Sequence, residues 1–208
     1  MKRLLVFLGA LGLMGAAVAQ PTNFVDLGTI YSTSNVYATP DLTATVGFSG
    51  TGVVNWYKFN MAEGTSAAGR YLDIDLFATG STSQADTEIG VYTNLGALVA
   101  TDDDDGHSLR SALTFGNTTS RAMPPDPFGF TNGVAANGRD GNLAVDTYWL
   151  AVTRFNSTFN TTNWNVVGAG SGVGNNVTVN FRTDAVPEPA TMAVLGLGVA
   201  ALLRRRRK

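Results

Sequence analysis

The densest chemical feature of the chain is "TDDDDGHS", residues 101 to 108. Four adjacent carboxylates, Asp102, Asp103, Asp104 and Asp105, repel one another. A hard cation such as Ca²⁺ relieves that repulsion by taking their oxygens as ligands. Asp86 and Glu88, in the neighbouring strand-like stretch, add two candidate ligands. The spacing is not that of an EF-hand: with Gly106 at loop position six, position twelve falls on Ala112 instead of Glu. Two readings stand side by side, a Ca²⁺ site and a solvated acidic turn of the kind most charge runs form.

His107 is the single histidine, and Ser108 follows it. Adjacent side chains rarely face each other, and the chain has no G-x-S-x-G elbow, so a Ser-His-Asp nucleophile is not indicated. A surface histidine is the expectation. No carboxylate is marked out as the raised-pKa acid of a glycosidase. With no Cys, thiolate catalysis and Cys-ligated zinc are removed. A secreted hydrolase is the least favoured class.

One further stretch could bind. "NTTSRAMPPDPFGFTNGVAANGRDGN", from Asn117 to Asn142, is too long for a simple connection. Pro124, Pro125 and Pro127 stiffen it, and Phe128 and Phe130 bring aromatic surface. Either this loop stacks sugars or a protein partner, or its phenylalanines tuck onto the body.

The elements that must position these residues read as strands. They are residues 53–61, 71–79, 87–93, 97–102, 111–116, 147–155 and 176–182, rich in β-branched and aromatic residues and separated by Gly, Asn, Asp and Ser. In "YLDIDLF", Leu72, Ile74 and Leu76 alternate with Asp73 and Asp75, the pattern of a half-buried strand. "VYTNLGALVA" reads as a hairpin around Asn94-Leu95-Gly96. No amphipathic helix of twelve residues occurs between Gln20 and Asp184. The expected fold class is all-β, an antiparallel β-sandwich or jelly roll over residues 20–184. Thr-rich "TFNTTNW" lacks the regular T-x-T repeat of an ice-binding face.

Charge is segregated. Residues 20 to 186 hold seven Lys/Arg against fifteen Asp/Glu, a net of −8, and the other cations lie at the two ends. An acidic body with no basic patch argues against nucleic acid. Cations, neutral polymers and other proteins are the partners this body suits.

Both ends read as sorting segments. Lys2 and Arg3, the apolar run Leu4 to Met14, and Ala17-Val18-Ala19 before Gln20 form an n-region, an h-region and a cleavage site. This predicts a signal peptide over 1–19, handled by the Sec translocon and signal peptidase. At the other end, Ala190 to Leu203 is an apolar run of fourteen residues. As a helix it rises only ~21 Å, short of the ~30 Å hydrocarbon core. It is a marginal transmembrane helix, with Arg204, Arg205, Arg206, Arg207 and Lys208 held cytoplasmic and the body outside.

Pro187-Glu188-Pro189, then a short Gly/Ala/Leu span, then an Arg cluster resembles the PEP-CTERM sorting signal of Gram-negative bacteria. The resemblance implies recognition of 185–208 by an exosortase, a membrane-embedded cysteine transpeptidase. It also implies association with exopolysaccharide and biofilm. The same tail occurs on some ice-binding proteins, which says nothing of the body, because such signals ride on unrelated cargo.

Residues 53 to 155 resemble the bacterial pre-peptidase C-terminal domain. The likeness runs through Trp56-Tyr57-Lys58-Phe59, then "DIDLFATGSTSQADTEIGVYTNLGALVATDDDDG", then "LAVDTYWLAVTRF". It departs in the Asn117 to Asn142 stretch. It implies an accessory binding or processing module. The expectation is therefore an exported, non-catalytic surface or matrix protein without a certain cofactor. The alternative is a Ca²⁺-dependent carbohydrate-binding module. Before processing it sits outside the inner membrane, and afterwards at the cell surface or beyond.

Overall fold

Alternating apolar residues place one face of each strand on a shared core, and two sheets result. The computed structural model describes residues 19–30, 36–48, 52–81, 85–116, 119–168 and 176–184. In chain order the strands are β1 (Phe24–Ile30), β2 (Leu42–Val46), β3 (Asn55–Met61), β4 (Tyr71–Ala78), β5 (Thr87–Thr93) and β6 (Leu98–Asp102). They continue as β7 (Ala112–Gly116), β8 (Thr147–Arg154), β9 (Thr158–Phe159), β10 (Val166–Val167) and β11 (Val177–Thr183). No helix occurs among the described residues. The predicted signal segment up to Val18, Pro187-Glu188-Pro189, the apolar run 190–203 and the basic residues 204–208 lie outside the described residues.

One sheet runs β1-β3-β8-β5-β6 and the other β2-β11-β4-β7. All seven strands expected from alternation are present, and the fold is the all-β sandwich they implied. Among the paired strands described, only β1 and β3 run parallel. Between the sheets lie Tyr57, Phe59 and Met61 of β3, Leu72, Ile74 and Leu76 of β4, Tyr148, Leu150 and Val152 of β8, and Val177, Val179 and Phe181 of β11. Phe59 joins the layers, its ring 5.7 Å from Tyr148 and 5.6 Å from Phe181. Each such side chain contributes about 1.5–3 kcal/mol by leaving water.

The outer faces are covered too. The β9–β10 hairpin lays Phe159 and Trp164 over Tyr92, Trp149 and Ala151 of the five-stranded sheet. Gly90 makes this possible, because a Cβ there would occupy the place of the Phe159 ring. Gly96, at φ +81° in the β5–β6 turn, likewise lies flat under Trp164.

The segment around residues 119–142 covers the four-stranded sheet. Arg121 and Ala136 exchange both backbone hydrogen bonds, at 2.8 and 2.9 Å. This cover overturns one expectation. Strand β4 is not half-buried: Asp73 and Asp75, on its outer face, are only 3% and 2% exposed. Asp73 accepts from the Arg121 guanidinium at 2.6 Å and from the Tyr37 hydroxyl at 2.8 Å. Asp75 pairs with Arg182 and accepts from Asn180 at 2.9 Å. The aspartates face a second layer of chain, and a buried carboxylate there is tolerable only with such partners.

Candidate functional site

The acidic residues gather at one end of the sandwich, where β6 and β8 finish and β5 begins. Asp102, the last residue of β6, braces the turn that follows. One of its oxygens, Oδ2, accepts the N–H groups of Asp105 at 3.1 Å and Ala112 at 2.7 Å. Burial pushes its carboxyl up to about 7, against those hydrogen bonds, which lower it. The turn closes with the Gly106 N–H on Arg110 O at 2.7 Å. A Cβ at Gly106 would collide with that carbonyl, so only glycine fits.

Past this brace, Asp103 and Asp104 meet Asp86, which directly precedes β5. One oxygen from each lies within 4.8 Å of the others. Two ligands on opposite sides of a Ca²⁺ ion stand about 4.8 Å apart, so the spacing suits a shared hard cation. Asp86 Oδ1 and Asp103 Oδ1 are enclosed and have no hydrogen-bond partner. Burial raises both carboxyls above their ordinary range. For Asp86 the charges of Asp103 and Asp104 add to this, and for Asp103 that of Asp104.

The remaining candidate ligands are engaged elsewhere. Glu88 accepts the N–H groups of Asn156 and Ser157, each at 2.8 Å, and burial raises its carboxyl. Asp105 pairs with Arg139 at 2.8 Å. The structure thus converges Asp86, Asp103 and Asp104, and uses Asp102, Glu88 and Asp105 to hold the surrounding chain. Beside the trio is a hollow lined by Glu88, Thr101, Asp102, Asp103, Ser157, Thr158 and Phe159.

His107 departs from expectation. It is 1% exposed, not a surface residue. Its Nδ1 accepts the Gly133 N–H at 2.8 Å, which leaves Nε2 to donate to Pro124 O at 2.7 Å. Both ring nitrogens therefore tie the covering segment down, and neither is free to take a serine proton. The partners are backbone groups of a loop distant in sequence, which no local pattern could have announced.

Phe128 and Phe130 part company. Phe130 packs on the Arg110 guanidinium, 4.5 Å from its ring centre. Asp126 sits beside it, 3.6 Å from the same guanidinium and accepting the Ala78 N–H at 2.7 Å. Burial lowers the Arg110 pKa, and Asp126 opposes that effect. Phe128 is 43% exposed at the tip of the turn. Of the two aromatic residues singled out for a ligand, Phe128 is the more exposed, and Phe130 is partly covered. Gln20, the expected first mature residue, donates through Nε2 to Asn94 Oδ1 at 3.1 Å.

Residues 185–208 match the family model described as the PEP-CTERM protein-sorting motif. The chain carries that sorting signal. The PEP-CTERM motif belongs to exported proteins that an exosortase recognises and that are anchored at the membrane before processing. Among solved structures, the chain is similar to the pre-peptidase C-terminal domain of collagenase from Bacillus anthracis. The identity is 11%, with 79% of this chain and 99% of that chain covered, at a TM-score of 0.38. The sandwich itself rests on the strand pairing described above. No curated protein matches the chain.

Proposed function

We propose that this PEP-CTERM protein is a non-catalytic surface or matrix component, exported through Sec, trimmed to Gln20, sorted by its tail and left among exopolysaccharide. The observation that carries the reading is the motif at 185–208 on an acidic β-sandwich. The body's only histidine has both nitrogens committed to backbone groups, which supports a role other than acid-base chemistry. Deleting residues 185–208 tests it. The truncated protein is expected in the soluble exported fraction, and the wild type with cell-surface polysaccharide. Identical distribution of the two forms overturns the proposal.

A second reading concerns the acidic end. The convergence of Asp86, Asp103 and Asp104, with two enclosed oxygens lacking partners, supports Ca²⁺ binding there. The adjacent hollow and Phe159 would then present a polar, aromatic-edged surface to a sugar chain. A cation that binds only the folded state adds about 2.7 kcal/mol at a hundredfold excess over Kd. Millimolar Ca²⁺ should raise the thermal midpoint relative to chelator, and Asp103→Asn with Asp104→Asn should abolish the difference. Glycan-array binding with and without chelator then separates a matrix component from a Ca²⁺-dependent lectin-like module. A midpoint indifferent to Ca²⁺ decides for a solvated acidic turn.

A further inference from the structure

Strand β11 runs from the acidic end of the sandwich to the opposite end, and there the body grips its own chain. Thr183 pairs with Leu72 of β4. Its N–H and hydroxyl both donate to Asp41 Oδ2, at 2.6 and 3.1 Å. The Asp41 N–H in turn donates to Phe181 O at 2.9 Å. One residue further, the Asp184 carboxylate lies 3.0 Å from the Arg70 guanidinium, which also pairs with Glu63. Arg70 is set in the turn that leads into β4, its N–H donating to Ala67 O at 3.0 Å. The chain is therefore held by the folded body as far as Asp184.

The sorting motif begins almost at once. Pro187 is three residues beyond Asp184. Even fully extended, three residues span at most about 11 Å. An α-helix with its side chains is already about 10–12 Å across. Any enzyme element that closes over Pro187-Glu188-Pro189 must press against the β11 end of the body.

We infer that this end, with Asp41, Glu63, Arg70 and Asp184, is the surface against which the sorting enzyme works. The Arg70–Asp184 pair is the latch that sets how much chain the enzyme can draw. The inference rests on the exosortase reading of the tail. Both partners of the latch are partly solvent-exposed, at 27% and 23% of their side chains. Such an ion pair opens readily, whereas the buried ladder behind it does not. Glu63 and Asp184 flank the one guanidinium and Asp41 is bound to the adjacent Thr183, so carboxylates outnumber cations in this group three to one, which suits a cationic contact on the enzyme.

Pulse-chase of the full chain in its native host tests this. Inserting ten Gly/Ser residues between Asp184 and Ala185 leaves the body unaltered and supplies slack. The processing half-time should shorten. Arg70→Ala alone should shorten it about twofold to fivefold, the range expected for one exposed ion pair. In the insertion background Arg70→Ala should add nothing. An insertion that leaves the half-time unchanged, or lengthens it, overturns the inference. A parallel exosortase-deficient strain separates the two levels. If the tail of the wild-type protein is still cleaved there, the sorting reading falls and the latch falls with it.

Discussion

The Arg121 guanidinium lies 2.6 Å from Asp73 and 3.7 Å from the centre of the Tyr71 ring, and so fastens the covering segment to the outer face of β4. Asp73 is enclosed, and its other oxygen, Oδ1, has no hydrogen-bond partner. Removing Arg121 therefore strands a buried carboxylate with Tyr37 as its remaining side-chain donor. Arg121→Ala should cost about 3 kcal/mol in urea unfolding. Limited proteolysis should cut first within residues 119–142. Adding Asp73→Asn should recover part of the loss, because the uncompensated charge goes with it. Full stability in the single variant would mean that the pair does not hold the segment.

The acidic end should show its own pH dependence. Asp102 is raised to about 7 by burial, while an unfolded aspartate titrates near ~3.9. Between those values the folded state holds a proton that the unfolded state has lost. Stability must therefore fall as pH rises through this window. Asp86, Asp103 and Glu88 are raised as well and add to the same slope. Asp102→Asn is a clean probe, because both N–H donors converge on a single oxygen that an amide can supply. In chelator, the wild-type midpoint should drop from pH 5 to 7.5, and the variant should drop less and stand higher at pH 7.5. Parallel curves would remove Asp102 from the account.

Much of this arrangement was readable in residue order, and the parts that were not share a cause. Alternation marked β3, β4, β5, β6, β7, β8 and β11 because each has one face on the inter-sheet core. Strand β1 escaped because "FVDLGTI" is an edge with mostly exposed side chains and a shift in register between Asp26 and Thr29. Strand β2, "LTATV", alternates small polar and apolar residues too weakly to stand out. The two-residue β9 and β10 are too short to carry a period. The reading of β4 as half-buried and of His107 as exposed failed together. Both are buried by the segment 119–142, whose docking depends on Arg121, Asp126 and backbone carbonyls, not on a hydrophobic pattern. Likewise the acidic run announced charge but not division of labour. Backbone amides at Asp105, Ala112, Asn156 and Ser157, and the Arg139 guanidinium on Asp105, separate the structural carboxylates from the converging trio.

Phe128 and Phe130 allow binding to be told from packing. Phe130→Ala uncovers the buried Arg110 guanidinium and removes its cation–π partner, so about 2 kcal/mol of stability should go. Phe128→Ala removes an exposed ring and should change stability by no more than about 0.5 kcal/mol. If the turn stacks on sugar or protein, Phe128→Ala should lose binding at unchanged melting temperature. Unchanged pull-down by extracted exopolysaccharide would leave Phe128 without a ligand role.

The tail separates recognition from anchoring. If Pro187-Glu188-Pro189 is read by the sorting enzyme, Glu188→Ala leaves Ala190 to Leu203 and the cations Arg204 to Lys208 untouched. Insertion and orientation should survive, because both depend on the apolar run and the positive charge beyond it. Processing should fail, and full-length protein should accumulate in the membrane fraction. Converting Arg204, Arg205, Arg206 and Arg207 to serine should act on the other half of the signal. Without those charges, an apolar helix rising only ~21 Å has little to stop it from slipping through the bilayer. Unprocessed protein should then appear in soluble exported fractions instead of the membrane. Fractionation blots of both variants in the native host read the two outcomes in one experiment. Glu188→Ala protein trimmed at the wild-type rate would reduce Pro-Glu-Pro to a helix boundary and leave the basic run as the only part of the tail with a sorting role.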